Sequence, residues 1–178
     1  MDTSKWYHKA VDHVLTAKEM TGTSSSTFEP DTSLSRAMIV QILYNMEGRP
    51  DAGASSFKDV KSADWFASAV NWAAANDIVS GYSADEFGPM DSLTREQMAA
   101  VLRRYAQYKH CNVLKKADIS SFADSGDVSS WALEDMCWAV GQGLISGTGN
   151  NMLSPQGTAS RAQAAQVIMN FDNKILNK

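Results

Sequence analysis

Apolar residues from Trp65 onward fall at Trp65, Ala69, Trp72, Ala73 and Ala74. Steps of three and four predict an amphipathic helix with one buried stripe. The same stripe recurs as Trp131, Met136, Trp138, Ala139 and Val140, and as Trp6, Ala10, Val11, Val14 and Leu15. A lead-in from Ser55 and Ser56 through Phe57-Lys58-Asp59-Val60 reads as extended or turn, with Ser62 or Asp64 placed to cap the helix that follows. Each helix is expected to stop at a glycine suited to positive φ, in Glu19-Met20-Thr21-Gly22, Ile78-Val79-Ser80-Gly81 and Leu144-Ile145-Ser146-Gly147. Polar loops follow, from Thr23 to Thr27, Tyr82 to Glu86 and Thr148 to Met152. Second helices are predicted over 36–45, 95–108 and 161–171. Thr94 with Gln97 and Ser160 with Gln163 form capping boxes, and Ser35 caps the first of the three with Met38 in place of the glutamine. Leu93 with Met98, and Leu34 with Ile39, fit hydrophobic staples.

These elements repeat in register. Trp6, Trp65 and Trp131 are each followed sixteen residues on by Gly22, Gly81 or Gly147. Phe28-Glu29-Pro30, Phe87-Gly88-Pro89 or Leu153-Ser154-Pro155 begins twenty-two residues after each Trp, and Arg36, Arg95 or Arg161 stands six beyond each proline. Such a period marks a repeat architecture. One helix-loop-helix unit cannot bury its apolar face alone, so an all-α fold of three units packed as a pseudo-threefold helical bundle is expected. The units are placed at 1–50, 51–117 and 118–178, and the short polar connectors, 48–54 and 110–120, imply one compact domain.

Composition narrows the function classes. With 178 residues, 44% hydrophobic and 20% charged, the chain reads as an ordinary globular protein. A net charge of −4 argues against general nucleic-acid binding. No window reaches membrane-span length, so no membrane insertion is expected, and Met1-Asp2-Thr3-Ser4-Lys5 carries no apolar signal segment. The second and third units open on Phe57-Lys58-Asp59 and Phe122-Ala123-Asp124, an opening missing before Trp6. That pattern suggests a segment excised from a longer exported protein, monomeric as a segment. Cys111 and Cys137 match neither a disulfide framework nor a zinc site. Cys137, beside Trp138 on a helix, is expected to be a buried thiol; Cys111 could be free, and a bridge between the two stays open.

Candidate chemistry centres on the arginines. Each stands at the first position of a helix whose leading amides, taken as unpaired, would attract an anion together with the guanidinium. Alternatively each Arg pairs with a lead-in acid such as Asp59 or Asp124, holding helices together. Trp72 and Trp138 are expected in the core, whereas Trp6, Trp65 and Trp131 read equally as core or as the wall of a sugar-binding groove. The three glycines read as caps, or as places where a ligand approaches bare backbone. His8, His13 and His110 do not recur, no nucleophile motif is present, and no calcium-loop spacing is found. Neither catalysis nor a cofactor or metal is expected.

The motif residues from Phe57 through Gln97 resemble the S-layer homology domain: Phe-x-Asp, Trp65, Ile78-Val79-Ser80-Gly81-Tyr82, Phe87-Gly88-Pro89 and Leu93-Thr94-Arg95-Glu96-Gln97. Phe122 to Gln163 and Trp6 to Ala37 resemble it at the same landmarks. The resemblance implies a pseudo-trimeric helical domain with inter-motif grooves, anchoring an extracellular surface protein to a secondary polysaccharide linked to bacterial peptidoglycan. It further implies a pyruvylated N-acetylmannosamine as ligand. Arg36, Arg95 and Arg161 would meet the ketal carboxylate. Gly22, Gly81 and Gly147 would offer backbone, and Trp6, Trp65 and Trp131 would form groove wall. Asp59, Asp124, Thr23, Tyr82 and Thr148 would support them. The arginine signature varies here as Ser-Arg-Ala-Met, Thr-Arg-Glu-Gln and Ser-Arg-Ala-Gln, and Gly-Tyr survives only at Gly81-Tyr82. The rival reading is a helical scaffold for protein interaction or self-assembly, which predicts exposed apolar patches instead of anion-lined grooves.

Overall fold

The computed structural model describes residues 3–54 and 57–177. The start of the predicted second lead-in, Ser55 and Ser56, lies outside them, as do Met1 and Asp2. Six α-helices follow in order: α1 His8–Thr16, α2 Arg36–Met46, α3 Ala67–Ala75, α4 Arg95–Tyr108, α5 Leu133–Gly141 and α6 Arg161–Phe171. The described residues form only isolated β-bridges, so the fold is all-α.

The second helices begin where their caps place them. Ser35, Thr94 and Ser160 accept hydrogen bonds from the amides of Met38, Gln97 and Gln163, and both capping boxes close. First helices differ from expectation. Each starts two residues after its Trp, on a turn with no side-chain cap. Asp64 accepts from the Lys61 amide instead, closing the turn before α3. The glycines also differ. Positive φ after the first helices belongs to Lys18 (59°), Asp77 (57°) and Gly143 (67°), so Gly22, Gly81 and Gly147 are not the caps. Their role is steric, because a Cβ at Gly22 would lie 2.5 Å from the Ser24 carbonyl oxygen and 2.6 Å from that of Thr27.

Packing runs around a ring. α2 lies against α3, α4 against α5 and α6 against α1, so each second helix packs on the first helix of the next unit. The residues just before the second helices seal the ring at its centre. Leu34 N–H donates to Ala159 O at 2.8 Å, Ala159 N–H to Leu93 O at 2.9 Å, and Leu93 N–H to Leu34 O at 2.8 Å. All three backbones are thereby paired, as buried amides must be. One hydrophobic cluster unites the units, with Trp72 and Trp138 inside it at 3% and 0% exposure. Tyr105 stacks on Phe171 and donates to Glu47 at 2.6 Å. His13 on α1 bonds Asp172, just past α6, at 2.8 Å. Cys111 and Cys137 are free and half-buried, so neither bridges the other, and Cys137 is less enclosed than expected.

Candidate carbohydrate-binding grooves

The arginines carry the ring contacts outward. Arg36 Nε donates to Phe87 O and Nη2 to Ser80 O, both at 2.9 Å. Arg95 repeats this on Leu153 O and Ser146 O at 2.8 and 2.6 Å. Arg161 does so on Phe28 O and Thr21 O at 2.8 and 2.7 Å. Every arginine therefore reaches from its own unit into the loop of the next. The guanidiniums of Arg36 and Arg161 also lie 4.6 Å from the ring centroids of Phe87 and Phe28. Burial lowers the pKa of all three arginines. Charges on the receiving unit oppose that shift: Tyr82, Asp91 and Asp59 for Arg36, Asp124 for Arg95, and Glu29 for Arg161.

Two expectations about these helix ends are overturned. Their leading amides are not open to an anion. Arg36 and Ala37 donate to Asp91 O and Pro89 O, Arg95 and Glu96 to Gly157 O and Pro155 O, and Arg161 and Ala162 to Thr32 O and Pro30 O, all at 2.9 Å. The neighbouring unit has taken the donors that a free helix end would present. Nor do Asp59 and Asp124 pair with arginine. Asp59 accepts from the Phe87 and Gly88 amides, and Asp124 from those of Leu153 and Ser154 at 2.7 Å each. Burial works against both carboxylates, but these amides outweigh it and hold both pKa values below the ordinary aspartate range. Both acids thus fix the loop whose carbonyls receive Arg36 and Arg95. The central residue of that loop element takes positive φ in every unit: Glu29 at 53°, Gly88 at 69° and Ser154 at 50°. Gly88 alone hinted at this in the sequence.

With Nε and Nη2 engaged, Nη1 of each arginine has no hydrogen-bond partner among the described residues, and each arginine lines a groove. The Trp65 groove, about 420 Å³, holds Arg161, Gly22 and Thr23. An adjoining cleft of about 460 Å³ continues along Trp65 to Tyr44 and Arg49. The Trp6 groove, about 380 Å³, holds Arg95, Gly147 and Thr148. The Trp131 groove, about 160 Å³, holds Arg36, Gly81 and Tyr82, with the Tyr82 ring 4.4 Å from the Arg36 guanidinium. Arginine, glycine and tryptophan in each groove come from three different units. Trp6, Trp65 and Trp131 are 62, 56 and 56% exposed and each lines one of these clefts, so none of the three is a core residue.

The loop residues have local duties too. Thr23, Tyr82 and Thr148 close their loops by donating backbone N–H to Thr27, Glu86 and Met152 at 2.8 Å. Thr148 Oγ1 lies 2.9 Å from Ser154 Oγ. Asp59 and Asp124 line none of the three grooves.

Sequence reasoning missed the groove floors. They are built from one face of each second helix: Met38, Gln41 and Asn45; Gln97, Ala100 and Arg104; Gln163, Gln166 and Asn170. These positions follow each arginine by two, five and nine residues, along the flank of the buried stripe, so aligning the second helices would have exposed them.

Comparison with known proteins identifies the family. The profile of the S-layer homology domain family matches residues 56–99 and 121–165, together half of the chain. Amylopullulanase of Thermoanaerobacterium thermosulfurigenes is 31% identical over 92% of this chain and 9% of its own length. The surface-layer 125 kDa protein of Lysinibacillus sphaericus is 31% identical over 92% of this chain and 14% of its own. The cellulosome-anchoring protein of Acetivibrio thermocellus is 26% identical over 83% of this chain and 34% of its own. This chain therefore spans a minor part of each relative. With three units closed in a ring and the family's motif matched across two of them, the chain belongs to the S-layer homology domain family.

Proposed function

We propose that this domain is a non-catalytic carbohydrate-binding module that anchors a surface protein to the bacterial cell wall through the three grooves. Family membership places it at the outer cell surface, and relatives include proteins named for surface layers and for cellulosome anchoring. Three enzymes among the relatives, an amylopullulanase, an exoglucanase and an endoglucanase, share only 9, 16 and 17% of their length with it, consistent with a module appended to separate catalytic parts. Units 1–50, 51–117 and 118–178 act as one domain in this reading, because no groove is complete without all three.

One observation carries the proposal: each groove joins an arginine with an open Nη1, a glycine loop and a half-exposed indole. That combination suits an acidic sugar. The guanidinium meets a carboxylate with a charge-assisted bond, while the indole packs on the apolar ring face. The ligand is a pyruvylated secondary cell-wall polysaccharide whose ketal supplies the carboxylate. Several grooves on a multivalent wall add avidity.

Calorimetry with a pyruvylated cell-wall disaccharide tests this. Binding is expected for the pyruvylated sugar and is lost for the same sugar without its ketal. Equal affinity for both removes the carboxylate contact from the account. The scaffold alternative gains no specific observation, since the exposed indoles line clefts beside arginine instead of forming one apolar face.

A further inference from the structure

The seam that closes the ring, α1 against α6, is built differently from the α4–α5 seam. In the register of the repeat His13 stands where Trp72 and Trp138 stand, seven residues after each leading Trp, and Glu19 stands where Ile78 and Leu144 do. Asp172, eleven residues after Arg161, matches Glu47 and Ala106. Trp138, Leu144 and Ala106 make these positions wholly apolar at the α4–α5 seam, and all three are buried. At the α1–α6 seam all three are polar, yet Glu19 and Asp172 are only 3 and 1% exposed. The swap is concerted, and it places two carboxylates where burial of negative charge calls for a cation.

These side chains converge. His13 Nε2 lies 2.8 Å from Asp172 Oδ2, and one ligand atom from each of His13, Glu19 and Asp172 lies within 4.8 Å of the other two. His13 comes from α1, Glu19 from the turn after it, where Lys18 takes positive φ, and Asp172 from the π-helical turn Asp172–Leu176 that continues α6. The Glu19 backbone is pinned, its N–H donating to Val14 O at 2.9 Å and its carbonyl accepting from Asn45 Nδ2 at 3.0 Å. More negative charge lies close by. Burial, the bond to Glu47 and the charges of Glu47, Asp172 and Glu19 all raise the pKa of the Tyr105 phenol. Lys109, 2.9 Å from Glu47, serves that carboxylate. His13 is half-buried, so the cluster opens to solvent on the imidazole side.

We infer that His13, Glu19 and Asp172 form a binding site for a divalent metal cation of the zinc class. One imidazole nitrogen with two carboxylates suits zinc, and three protein ligands leave a fourth position for water. Metal bonds of about 2.0–2.2 Å put such ligand atoms about 3.3 Å from one another. The His13–Asp172 pair parts a little to reach that spacing and the wider pairs draw in, with the imidazole proton held on Nδ1. His13 and Glu19 are six residues apart and Asp172 is 159 residues from His13, a spacing that matches no metal motif, which is why the sequence alone predicts no metal. The turn before α1 carries Trp6, and α6 supplies the floor of the Trp6 groove. An ion at this seam therefore clamps both sides of that groove as it ties the first unit to the third.

Zinc chloride titrated into the intact domain, stripped beforehand with a chelator, tests this. The ring signals of His13 in proton–carbon correlation spectra should shift with one equivalent of zinc, while those of His8 and His110 stay in place. The thermal-unfolding midpoint should rise with zinc, as for any ligand that binds only the folded state. Glu19→Gln and Asp172→Asn keep the shape of each side chain without its charge. Each should weaken zinc binding by at least about tenfold, the lower end of what even a supporting residue of a metal site contributes. His8→Gln, at the other histidine of α1, should bind zinc as the wild type does. Calcium should leave the His13 ring signals in place, because it takes oxygen ligands. Zinc that moves His8 or His110 instead of His13 overturns the inference, as does equal affinity in the wild type, Glu19→Gln and Asp172→Asn. No shift of His13 in excess zinc also overturns it, and leaves a bare His13–Asp172 contact at the seam.

Discussion

Replacing Arg161 by alanine should destabilise the domain before it affects any ligand. The guanidinium donates two bonds, at 2.8 and 2.7 Å, to carbonyls of the first unit, and it lies 4.6 Å from the Phe28 ring centroid. A hydrogen bond to a charged donor contributes about 1.5–3 kcal/mol, and truncation leaves the acceptor without it. The stack over Phe28 adds about 0.5–1 kcal/mol. The Thr21 side borders an open groove where water can replace part of the loss. The net expectation is about 3–5 kcal/mol, a large fraction of the roughly 5–15 kcal/mol that holds a typical domain. Urea unfolding followed by tryptophan fluorescence should show the midpoint falling by on the order of 2 M, for a slope of about 2 kcal/mol per M. Arg161→Lys should recover part of the loss, since an ammonium can reach one of the two carbonyls. A midpoint shift below roughly 0.5 M with an unchanged slope would refute the idea that these arginines lock unit to unit. In arginine-to-alanine variants, loss of binding should therefore accompany loss of the ring.

Other expectations follow from the same geometry. Trp131→Ala should cost less than about 1 kcal/mol because the ring is half in water, whereas Trp138→Ala, fully buried, should cost about 3–5 kcal/mol by chemical denaturation. Glycan binding should weaken in the first without loss of fold. Gly81→Ala sets a Cβ against the carbonyl oxygens of Glu86 and Ser83 and the Phe57 ring, while at Gly147 the nearest atoms are 3.1 and 3.2 Å away. Thermal unfolding should therefore rank Gly81→Ala well below Gly147→Ala, by about 1–2 kcal/mol. Asp59 and Asp124 have depressed folded-state pKa values, so their contribution is complete above the ordinary aspartate pKa of about 4 and is lost as pH falls through the folded values. Stability measured from pH 6 down to pH 2 should fall less steeply in the Asp59→Asn, Asp124→Asn double variant than in the wild type. An equal slope would mean that the carboxylates do not hold the loops.

Much of the fold was legible because its signals are local. Ser35, Thr94 and Ser160 act through amides three residues away, so the second helices could be placed to within a residue. The first helices start later than their apolar period implies, because Trp65 fits the spacing of Ala69 and Trp72 although its backbone lies in the preceding turn. Periodicity records spacing but not where the backbone hydrogen bonds begin. The glycines looked like caps for a similar reason. A glycine after a helix fits either positive φ or close packing, and only the loop carbonyls opposite Gly22 and Gly81 distinguish the two. Which unit each arginine reaches was beyond the sequence, because three copies of one motif are equivalent as strings. The order of packing, α2 on α3, α4 on α5 and α6 on α1, decides that Arg161 shares a groove with Gly22 and Trp65. The occupied helix-end amides follow from that closure as well, since the carbonyls filling them belong to the next unit.

The most direct test of the central claim is a crystal structure of the domain with a pyruvylated N-acetylmannosamine disaccharide. The ketal carboxylate should lie within hydrogen-bonding distance of Nη1 of Arg36, Arg95 or Arg161, with the sugar ring against the tryptophan of the same groove. A sugar bound with its carboxylate touching none of these arginines would contradict the account.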